Sequence, residues 1–359
     1  VIVCFIYSAN VQENTHPVHF MISRITRNPE LKFIAVFFFS AAGFMLAIFA
    51  LAVIVDPYNI FGLNIFRPIL LTNRTEKLRL LRDADPKPEA IILGSSRVFK
   101  MDPKKVEKLT GLTTFNASVS YARPEEHFAM ASYIVNDLGI TPKLFIVGVN
   151  LGEFNNDETD SQTINNPDLR KYLGIDRKIL AITLLRTFKE RFNPRYLRDI
   201  FVTIFWNSRG FPNPAITFDA AGGQVFDRSH EPNPEDINVT LNLAQDLFRN
   251  TTVLNPERRR YFTEFLAFAQ KHNVRVTVFL LPFPPEVLQS LAETTSYPTL
   301  QSELLREAET WKKEYGIMFF DFSSPEKFGG LPTDFDDATH PSHRNIDLMT
   351  ERIFKRFRP

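Results

Sequence analysis

Short apolar runs bounded by turn residues recur in two parts of the chain. They are EAIILGSS (89–96), LTTFNAS (112–118), KLFIVGVN (143–150), VRVTVFLLP (274–282) and IMFFDFS (317–323). Near-continuous apolar runs of this length are typical of strands in a parallel sheet whose two faces are both covered. The pattern therefore predicts five buried strands.

Segments with apolar residues at helical spacing separate the predicted strands. These segments are 102–111, 124–138, 256–272, 297–315 and 344–357. Pro124 stands at the start of the second one, which is a favourable first helical position. Strands that alternate with amphipathic helices predict an α/β fold, here a three-layer α/β/α sandwich around a parallel, flavodoxin-like sheet.

The longest apolar run, FIAVFFFSAAGFMLAIFALAVIV (33–55), contains one clearly polar side chain, a serine. A helix of this length spans a hydrocarbon core of roughly 30 Å. Arg24, Arg27 and Lys32 precede the run and Asp56 follows it, so the positive-inside rule places the N-terminus in the cytoplasm and the rest outside. We favour an uncleaved single-pass anchor over a buried core helix or a signal peptide, whose apolar region is shorter.

The domain organisation follows from these segments. We expect a cytoplasmic N-terminus (1–32), a transmembrane anchor (33–55), a juxtamembrane connector with a charged helix (56–88) and a folded domain (89–359) with an insertion (151–255). The insertion enters after the third strand, at the carboxyl edge where open α/β sheets bind ligands. It is expected to form a lid or substrate wall, and the alternative is a surface elaboration without a role.

Composition narrows the classes of function. The chain carries a net charge of +1 without a long basic run, so no nucleic-acid partner is predicted. Cys4 is the single cysteine, which excludes a disulfide framework, and the scattered histidines lack the spacing of metal ligands. No phosphate loop or G-x-G-x-x-G motif is present, so no metal and no cofactor is predicted. Met21 is the first convincing start, and residues 1–20 are then not translated.

Two polar stretches follow predicted strands at the carboxyl edge of the sheet. In Gly94-Ser95-Ser96-Arg97, a serine on the strand-to-helix turn projects towards helix N–H groups that can stabilise an oxyanion. In Gly148-Val149-Asn150, the asparagine amide is a competent oxyanion donor. Taken singly, each stretch is equally compatible with an ordinary turn.

A third stretch, Asp337-Ala338-Thr339-His340-Pro341, lies in a loop before the last predicted helix. A neutral imidazole can accept a proton from a serine hydroxyl, and a carboxylate on its other nitrogen fixes the required tautomer. A helix-capping aspartate beside a solvated histidine is the alternative. Asp334 and Asp336 are alternative carboxylates, and His343 is an alternative base.

The order of the three stretches resembles that of the SGNH (GDSL-like) hydrolase family. The first block is Gly94-Ser95-Ser96, with Ser95 where the family has Asp, so the nucleophile maps to Ser96. The second block falls on Asn116-Ala117-Ser118, with Ser118 at the usual Gly position. The asparagine of the third block maps to Asn150, which Leu151 follows instead of the frequent Asp. The fifth block maps to Asp337 and His340.

The resemblance covers about residues 89–150 and 256–359 and implies a serine hydrolase. Ser96, Asp337 and His340 would form the catalytic triad, and the oxyanion hole would consist of the Ser96 N–H, the Ser118 N–H and Asn150. Arg97 would orient an anionic substrate, or alternatively pair with a carboxylate on the adjacent helix. A catalytically silent SGNH-like subunit that binds glycan or scaffolds a membrane complex is the competing hypothesis.

The anchor followed by Asp56-Pro57-Tyr58, the GSSR block and the DATHPS block also resembles a narrower group. This group contains the alginate O-acetylation proteins and the D-alanyl transfer protein of teichoic acid synthesis. The resemblance implies a bacterial inner-membrane protein with a periplasmic or extracellular catalytic domain. It would transfer an acyl group to or from a cell-surface polysaccharide, with a membrane-bound O-acyltransferase as partner. A plain esterase uses the same triad.

Overall fold

The structure is a computed structural model that describes residues 29–58, 61, 63, 65–67, 73–157, 159, 161–191, 193–210, 218–225 and 234–355. Cys4, Met21 and most of the predicted cytoplasmic segment lie outside these residues, as do parts of the predicted connector and insertion. The chain divides into two compact units, which meet in sequence between Val55 and Asp56.

The first unit contains helix α1 (Pro29–Val55), 27 residues long with a mean hydropathy of 2.5 in its most apolar window. Among the described residues it is the one helix that is long and apolar enough to cross a membrane, by length and composition. It contains the whole predicted span 33–55.

The second unit is built on a parallel sheet of five strands. They are β1 (Ala90–Gly94), β2 (Thr114–Asn116), β3 (Leu144–Val149), β4 (Arg275–Leu280) and β5 (Met318–Asp321). Their order across the sheet is β2-β1-β3-β4-β5, and every neighbouring pair is parallel. All five predicted strands and the α/β class are confirmed.

The helices of this unit are α2 (Asn73–Asp83), α3 (Pro103–Thr110), α4 (Pro124–Ser132), α5 (Ser161–Asn165), α6 (Pro167–Arg170), α7 (Arg177–Arg191), α8 (Pro194–Arg209), α9 (Pro234–Asp246), α10 (Pro256–Lys271), α11 (Pro285–Thr294), α12 (Tyr297–Tyr315) and α13 (His343–Phe354). A π-helical turn, Tyr133–Asp137, extends α4. The proline-rich stretch LPFPPE (281–286) is typical of a rigid loop, but helix α11 begins within it, at Pro285. Pro285 at its first turn is compatible with a helix start because that position needs no N–H partner.

The core lies on both faces of the sheet. Successive strand residues point to opposite faces, and they fall into two separate apolar clusters. Ile91, Phe145 and Val278 pack with side chains of α2, α4, α10 and α12. Ile92 and Ile146 pack instead with side chains of α3 and α13. Helices therefore cover both faces, and the unit has three layers.

Part of the predicted connector belongs to this core. In α2, Leu78 and Leu81 are buried, and two cations of the same helix are buried with them. Arg74 forms an ion pair with Glu126 at 2.6 Å, and Lys77 Nζ donates to the Asn116 carbonyl at 2.7 Å. Burial lowers the pKa of Lys77 well below its ordinary value. The charged helix α2 can pack against the core because its two buried cations have hydrogen-bond or ion-pair partners inside the fold.

The predicted insertion contributes helices α5 to α9 and a short segment, 218–225, that packs beside β2. Phe218 and Gln224 form an isolated antiparallel bridge. Asn116 N donates to the Ala221 carbonyl at 2.9 Å, and Gln224 N donates to the Phe99 carbonyl at 3.3 Å. These contacts place the segment next to the turn that carries Ser96.

Candidate active site

Ser96 stands on a tight turn at the carboxyl end of β1. The strand ends at Gly94, whose φ of 150° is disfavoured for residues with a Cβ, and residues Ser96–Val98 form one 3₁₀ turn. This turn lies close to the neighbouring strand. A Cβ on Gly148, at the end of β3, would come within 2.5 Å of Val98 Cγ1. The two glycines therefore allow the turn to sit directly on the sheet edge.

The side chains of Ser96, His340 and Asp337 form a continuous hydrogen-bonded chain. Ser96 Oγ lies 2.9 Å from His340 Nε2, although 244 positions separate the two residues in sequence. On the other side of the ring, His340 Nδ1 lies 2.8 Å from Asp337 Oδ2. Ser96 and His340 are partly exposed, so a substrate can reach them. This is the geometry of a nucleophile, a base and the carboxylate that orients the base.

The loop itself fixes the Asp337 carboxylate. Its Oδ1 accepts hydrogen bonds from the Thr339 N–H at 2.7 Å, the Thr339 hydroxyl at 2.9 Å and the His340 N–H at 2.8 Å. Burial raises the pKa of Asp337, but the hydrogen bond and charge of His340 and the backbone donors outweigh it. The pKa of Asp337 therefore lies well below its usual range. Oδ2 is left to face the imidazole.

The alternative carboxylates of the loop have other partners. Asp336 forms an ion pair with Lys100, and Asp334 Oδ1 accepts from Arg344 at 3.2 Å. The structure thus brings Asp337, and not these neighbours, to the imidazole of His340. His343 begins helix α13.

Asn150 lies in the same cavity as Ser96 and is held by a buried glutamate. Its Nδ2 donates to Glu153 Oε1 at 2.6 Å, and Glu153 Oε2 lies 3.4 Å from His127 Nε2. An amide nitrogen carries two hydrogens, so Glu153 takes one and the other is available for a ligand. Nothing in the sequence indicated Glu153, whose carboxylate is brought to Asn150 by the 3₁₀ turn Leu151–Phe154.

Ser118 is not brought to this cavity. It is buried, and its N–H donates at 3.1 Å to Asn116 Oδ1, which also accepts from the Ser118 hydroxyl. The Asn116 amide in turn donates to the carbonyls of Val98 and Met101, each at 3.0 Å. In this block, the asparagine therefore ties the end of β2 to the turn that follows Ser96.

Arg97 is buried beside the nucleophile and has no carboxylate partner among the described residues. Its Nη2 donates to the Pro282 carbonyl, and its guanidinium lies 4.3 Å from the centre of the Phe283 ring. Nε and Nη1 have no hydrogen-bond partner there. Burial lowers the pKa of Arg97 to about 10. The ion pair on the adjacent helix, one of the two expectations for Arg97, is not present in the described structure.

Two cavities meet at the triad, and both are lined by Ser96, Arg97, Asp337 and His340. The smaller, about 320 Å³, is also lined by Phe99, Lys100, Gln224, Asp336 and Pro341. The larger, about 670 Å³, is also lined by Ser95, Ser120, Tyr121, Ala122, Arg123, Asn150, Gly152, Glu153, Asn155, Asp157, Leu243, Asp246, Leu247 and Thr339. Residues of the predicted insertion thus line both cavities.

Tyr121 stands out on the larger cavity. It is 71% exposed and has a φ of 54°, which is unusual for a residue other than glycine. Backbone strain of this kind costs about 1–3 kcal/mol and tends to occur at functional sites. Nothing in the sequence indicated this residue, because a left-handed conformation at a tyrosine has no local signature.

The arrangement contains the groups that acyl transfer through a serine nucleophile requires. Among the described residues, no group of three or more His, Cys, Asp or Glu side chains is placed to hold a metal ion. The buried histidine, His127, faces Glu153 instead.

Comparison with known proteins gives distant structural neighbours. No protein-family model matches the chain, and neither does any curated protein. One similar solved structure is a GDSL-like lipase of Bacteroides thetaiotaomicron, with 10% identity, a TM-score of 0.36 and coverage of 78% of this chain and 92% of that one. Another, from Bacteroides fragilis, is assigned as an acylhydrolase, with 8% identity, a TM-score of 0.36 and coverage of 79% and 91%.

A third similar structure, from Desulfitobacterium hafniense, is assigned as a lipolytic protein of the G-D-S-L family. It has 10% identity and a TM-score of 0.33, with coverage of 74% of this chain and 98% of that one. At such values, similarity says nothing about substrate or catalytic status.

Proposed function

We propose that this chain is an extracytoplasmic serine esterase or acyltransferase of the SGNH type. The observation that carries the proposal is the hydrogen-bonded chain from Ser96 through His340 to Asp337. It would act on O-acyl groups of a cell-surface polysaccharide or a related polymer. Helix α1 would anchor it in a bacterial inner membrane, with the catalytic domain on the far side from the cytoplasm and a membrane-bound O-acyltransferase as partner.

In the proposed mechanism, His340 Nε2 accepts the proton of Ser96, and the Ser96 oxygen attacks the ester carbonyl. The tetrahedral intermediate collapses to an acyl-enzyme, and His340 returns the proton to the departing alcohol. Water or a sugar hydroxyl then attacks the acyl-enzyme in the same way. Water gives hydrolysis, and a sugar hydroxyl gives acyl transfer.

The oxyanion would be held by the Ser96 N–H and by the Asn150 amide. The Ser118 N–H is already bonded to Asn116 in this structure, so we assign it no direct contact with the oxyanion. Glu153 acts as a positioning residue, because its bond to Asn150 Nδ2 directs the second amide hydrogen of Asn150.

Loss of one oxyanion donor should be seen in turnover and not in binding. We expect Asn150→Ala to lower kcat by about 10²- to 10³-fold with little change in KM. Glu153→Ala should cause a smaller loss of the same kind, and Glu153→Gln should recover part of it because its amide oxygen can still accept from Asn150. Steady-state kinetics with an aryl acetate would measure both constants. A rise in KM without a fall in kcat would assign Asn150 to substrate binding.

The two cavities support a substrate with two sizeable parts. An ester places its acyl group on one side of the attacked carbon and its alcohol on the other, and Ser96 lies where the two cavities meet. Tyr121 offers an exposed aromatic face at the larger cavity, which suits an apolar face of a sugar ring. The unpartnered nitrogens of Arg97 favour an anionic group close to Ser96.

The polymer part of the proposal predicts a selective effect at Tyr121. Tyr121→Ala should raise KM for an O-acetylated oligosaccharide by about fivefold, the value of one aromatic contact. Hydrolysis of a small aryl acetate should be unchanged, because the alcohol part of this substrate does not reach Tyr121. Tyr121→Phe is the matched control, since it keeps the ring and the backbone conformation. Equal losses on both substrates would contradict a glycan contact at this residue.

The activity itself is tested by acetate release from O-acetylated oligosaccharides, with and without an unacetylated acceptor. Acetate release that requires Ser96 supports an esterase. Appearance of the acetyl group on the added acceptor supports a transferase. If folded protein gives neither product, the result favours the silent glycan-binding or scaffolding subunit.

A further inference from the structure

Helix α8 exposes aromatic side chains that the proposed chemistry does not use. Phe201 is 66% exposed and Phe205 is 47% exposed, and the two lie one turn apart on the same helix face. Trp206 packs against Phe205, with ring centroids 5.1 Å apart. Large apolar side chains that are exposed together indicate an interaction surface.

The segment before α2 contacts the end of α8 through Arg67 and also contains exposed apolar residues. Arg67 N donates to Asn207 Oδ1 at 2.9 Å, and Asn207 Nδ2 donates to the Arg67 carbonyl at 3.0 Å. Leu63 and Ile65, just before Arg67, are both exposed. The apolar surface comprises Phe201 and Phe205 of α8.

The chain leads directly from the end of the apolar segment to the first half of α8. The Tyr58 hydroxyl donates to Asp199, and the Tyr58 ring meets the Tyr196 ring edge to face at 5.3 Å. Only Asp56 and Pro57 stand between Val55 and Tyr58 in sequence, which limits that part of the chain to roughly 10 Å. The first half of α8 is therefore bound to a residue that stands only three positions after Val55.

The charge of this region also favours a lipid surface. Residues 177–209 contain eight lysines and arginines and two acidic residues, although the whole chain carries only +1. Helix α7 of this region exposes Ile179, Ile182 and Leu185 at helical spacing. Basic residues combined with exposed apolar side chains are typical of helices that lie in the interface of an anionic bilayer.

We propose that α8 lies on the surface of the lipid bilayer and inserts Phe201 and Phe205 between the headgroups. The proposal rests on the proposed membrane anchoring of α1. In this arrangement α8 gives the catalytic domain a contact of its own with the bilayer.

The two tryptophans of the chain allow a direct test. Trp206 lies on α8, whereas Trp311 is buried in the core. The full chain would be reconstituted into vesicles of phosphatidylcholine and phosphatidylglycerol with either unmodified or brominated acyl chains. We expect brominated lipid to quench the emission of the parent protein. Trp206→Phe should lose this quenching, because Trp311 is shielded by protein.

Substitutions of Phe201 and Phe205 would then show whether these side chains contact the lipid. Replacing both Phe201 and Phe205 by serine should weaken the quenching of Trp206. Leu331→Ser, which removes an exposed apolar side chain elsewhere, is the matched control and should leave the quenching unchanged. Circular dichroism of each variant would show that it is folded.

The remaining outcomes overturn the proposal in distinguishable ways. Protein that floats with the vesicles but shows no quenching of Trp206 is anchored without contact between α8 and lipid. If Trp206 is then shielded from acrylamide only in native membranes, a protein partner covers the surface. Protein that does not float with the vesicles refutes the anchoring itself, whatever its esterase activity.

Discussion

Ser96→Ala should abolish reaction with a fluorophosphonate probe and lower kcat for an aryl acetate by about 10⁴- to 10⁶-fold. The reason is that Ser96 Oγ, 2.9 Å from His340 Nε2, is the only atom of the triad that forms a bond to the acyl carbon in the proposed mechanism. His340→Ala should weaken labelling and turnover, because the Ser96 hydroxyl then has no base to accept its proton. Intact-protein mass spectrometry would measure labelling, and aryl acetate hydrolysis would measure turnover.

Ser95→Ala is the matched control for this experiment. Ser95 precedes the proposed nucleophile, and its hydroxyl is buried without a hydrogen-bond partner among the described residues. We expect Ser95→Ala to label like the parent protein. Equal labelling of Ser96→Ala would remove Ser96 as nucleophile. Absence of labelling in the folded parent would favour the silent binding subunit.

The strands could be predicted because their signal is local. Runs such as KLFIVGVN are apolar on both faces, and burial on both faces is what a central parallel strand requires. The same locality explains the miss at α11. Helix α11 begins at Pro285, inside LPFPPE (281–286), and the prolines of this stretch are typical of a rigid turn, so the start of the helix resembles a loop.

The long-range parts of the site could be predicted only where chemistry constrains the residue type. Ser96 and His340 are 244 positions apart, but a nucleophile needs a base, and the edge of a parallel sheet brings strand ends together. Ser118 shows the limit of motif alignment. Its N–H is bonded to Asn116, a contact that depends on how the end of β2 packs against the turn after Ser96.

Glu153 and Tyr121 could not be predicted because their roles depend on backbone geometry. The 3₁₀ turn Leu151–Phe154 places the Glu153 carboxylate within hydrogen-bond distance of the Asn150 amide, and an extended loop of the same sequence would not. Tyr121 has a positive φ and is exposed at the larger cavity. The conformation of Tyr121 does not follow from residue type, because residues other than glycine rarely adopt a positive φ.

Asp337→Asn should lower kcat for an aryl acetate by about 10⁴-fold while leaving the fold intact. In the parent protein, Asp337 Oδ1 accepts hydrogen bonds from the N–H groups of Thr339 and His340. An asparagine at this position must keep its single oxygen on these donors, so its NH₂ group would face His340 Nδ1. The imidazole would then carry its hydrogen on Nε2 and present it to Ser96, and this tautomer cannot accept the serine proton.

Asp336→Asn is the control from the same loop, because it breaks only the ion pair with Lys100 and should cause a much smaller loss of kcat.

The two variants should also differ in stability. Since the folded-state pKa of Asp337 is lowered, its carboxylate stabilises the fold above the unfolded value of about 3.9, and this stabilisation is lost as the pH falls through the folded pKa. Asp337→Asn should therefore unfold at a lower temperature than the parent at neutral pH, and the difference should shrink in acid. Thermal melts from neutral to acid pH would measure this difference in melting temperature. A difference that does not change with pH would contradict a stabilising contact of the charged Asp337 carboxylate.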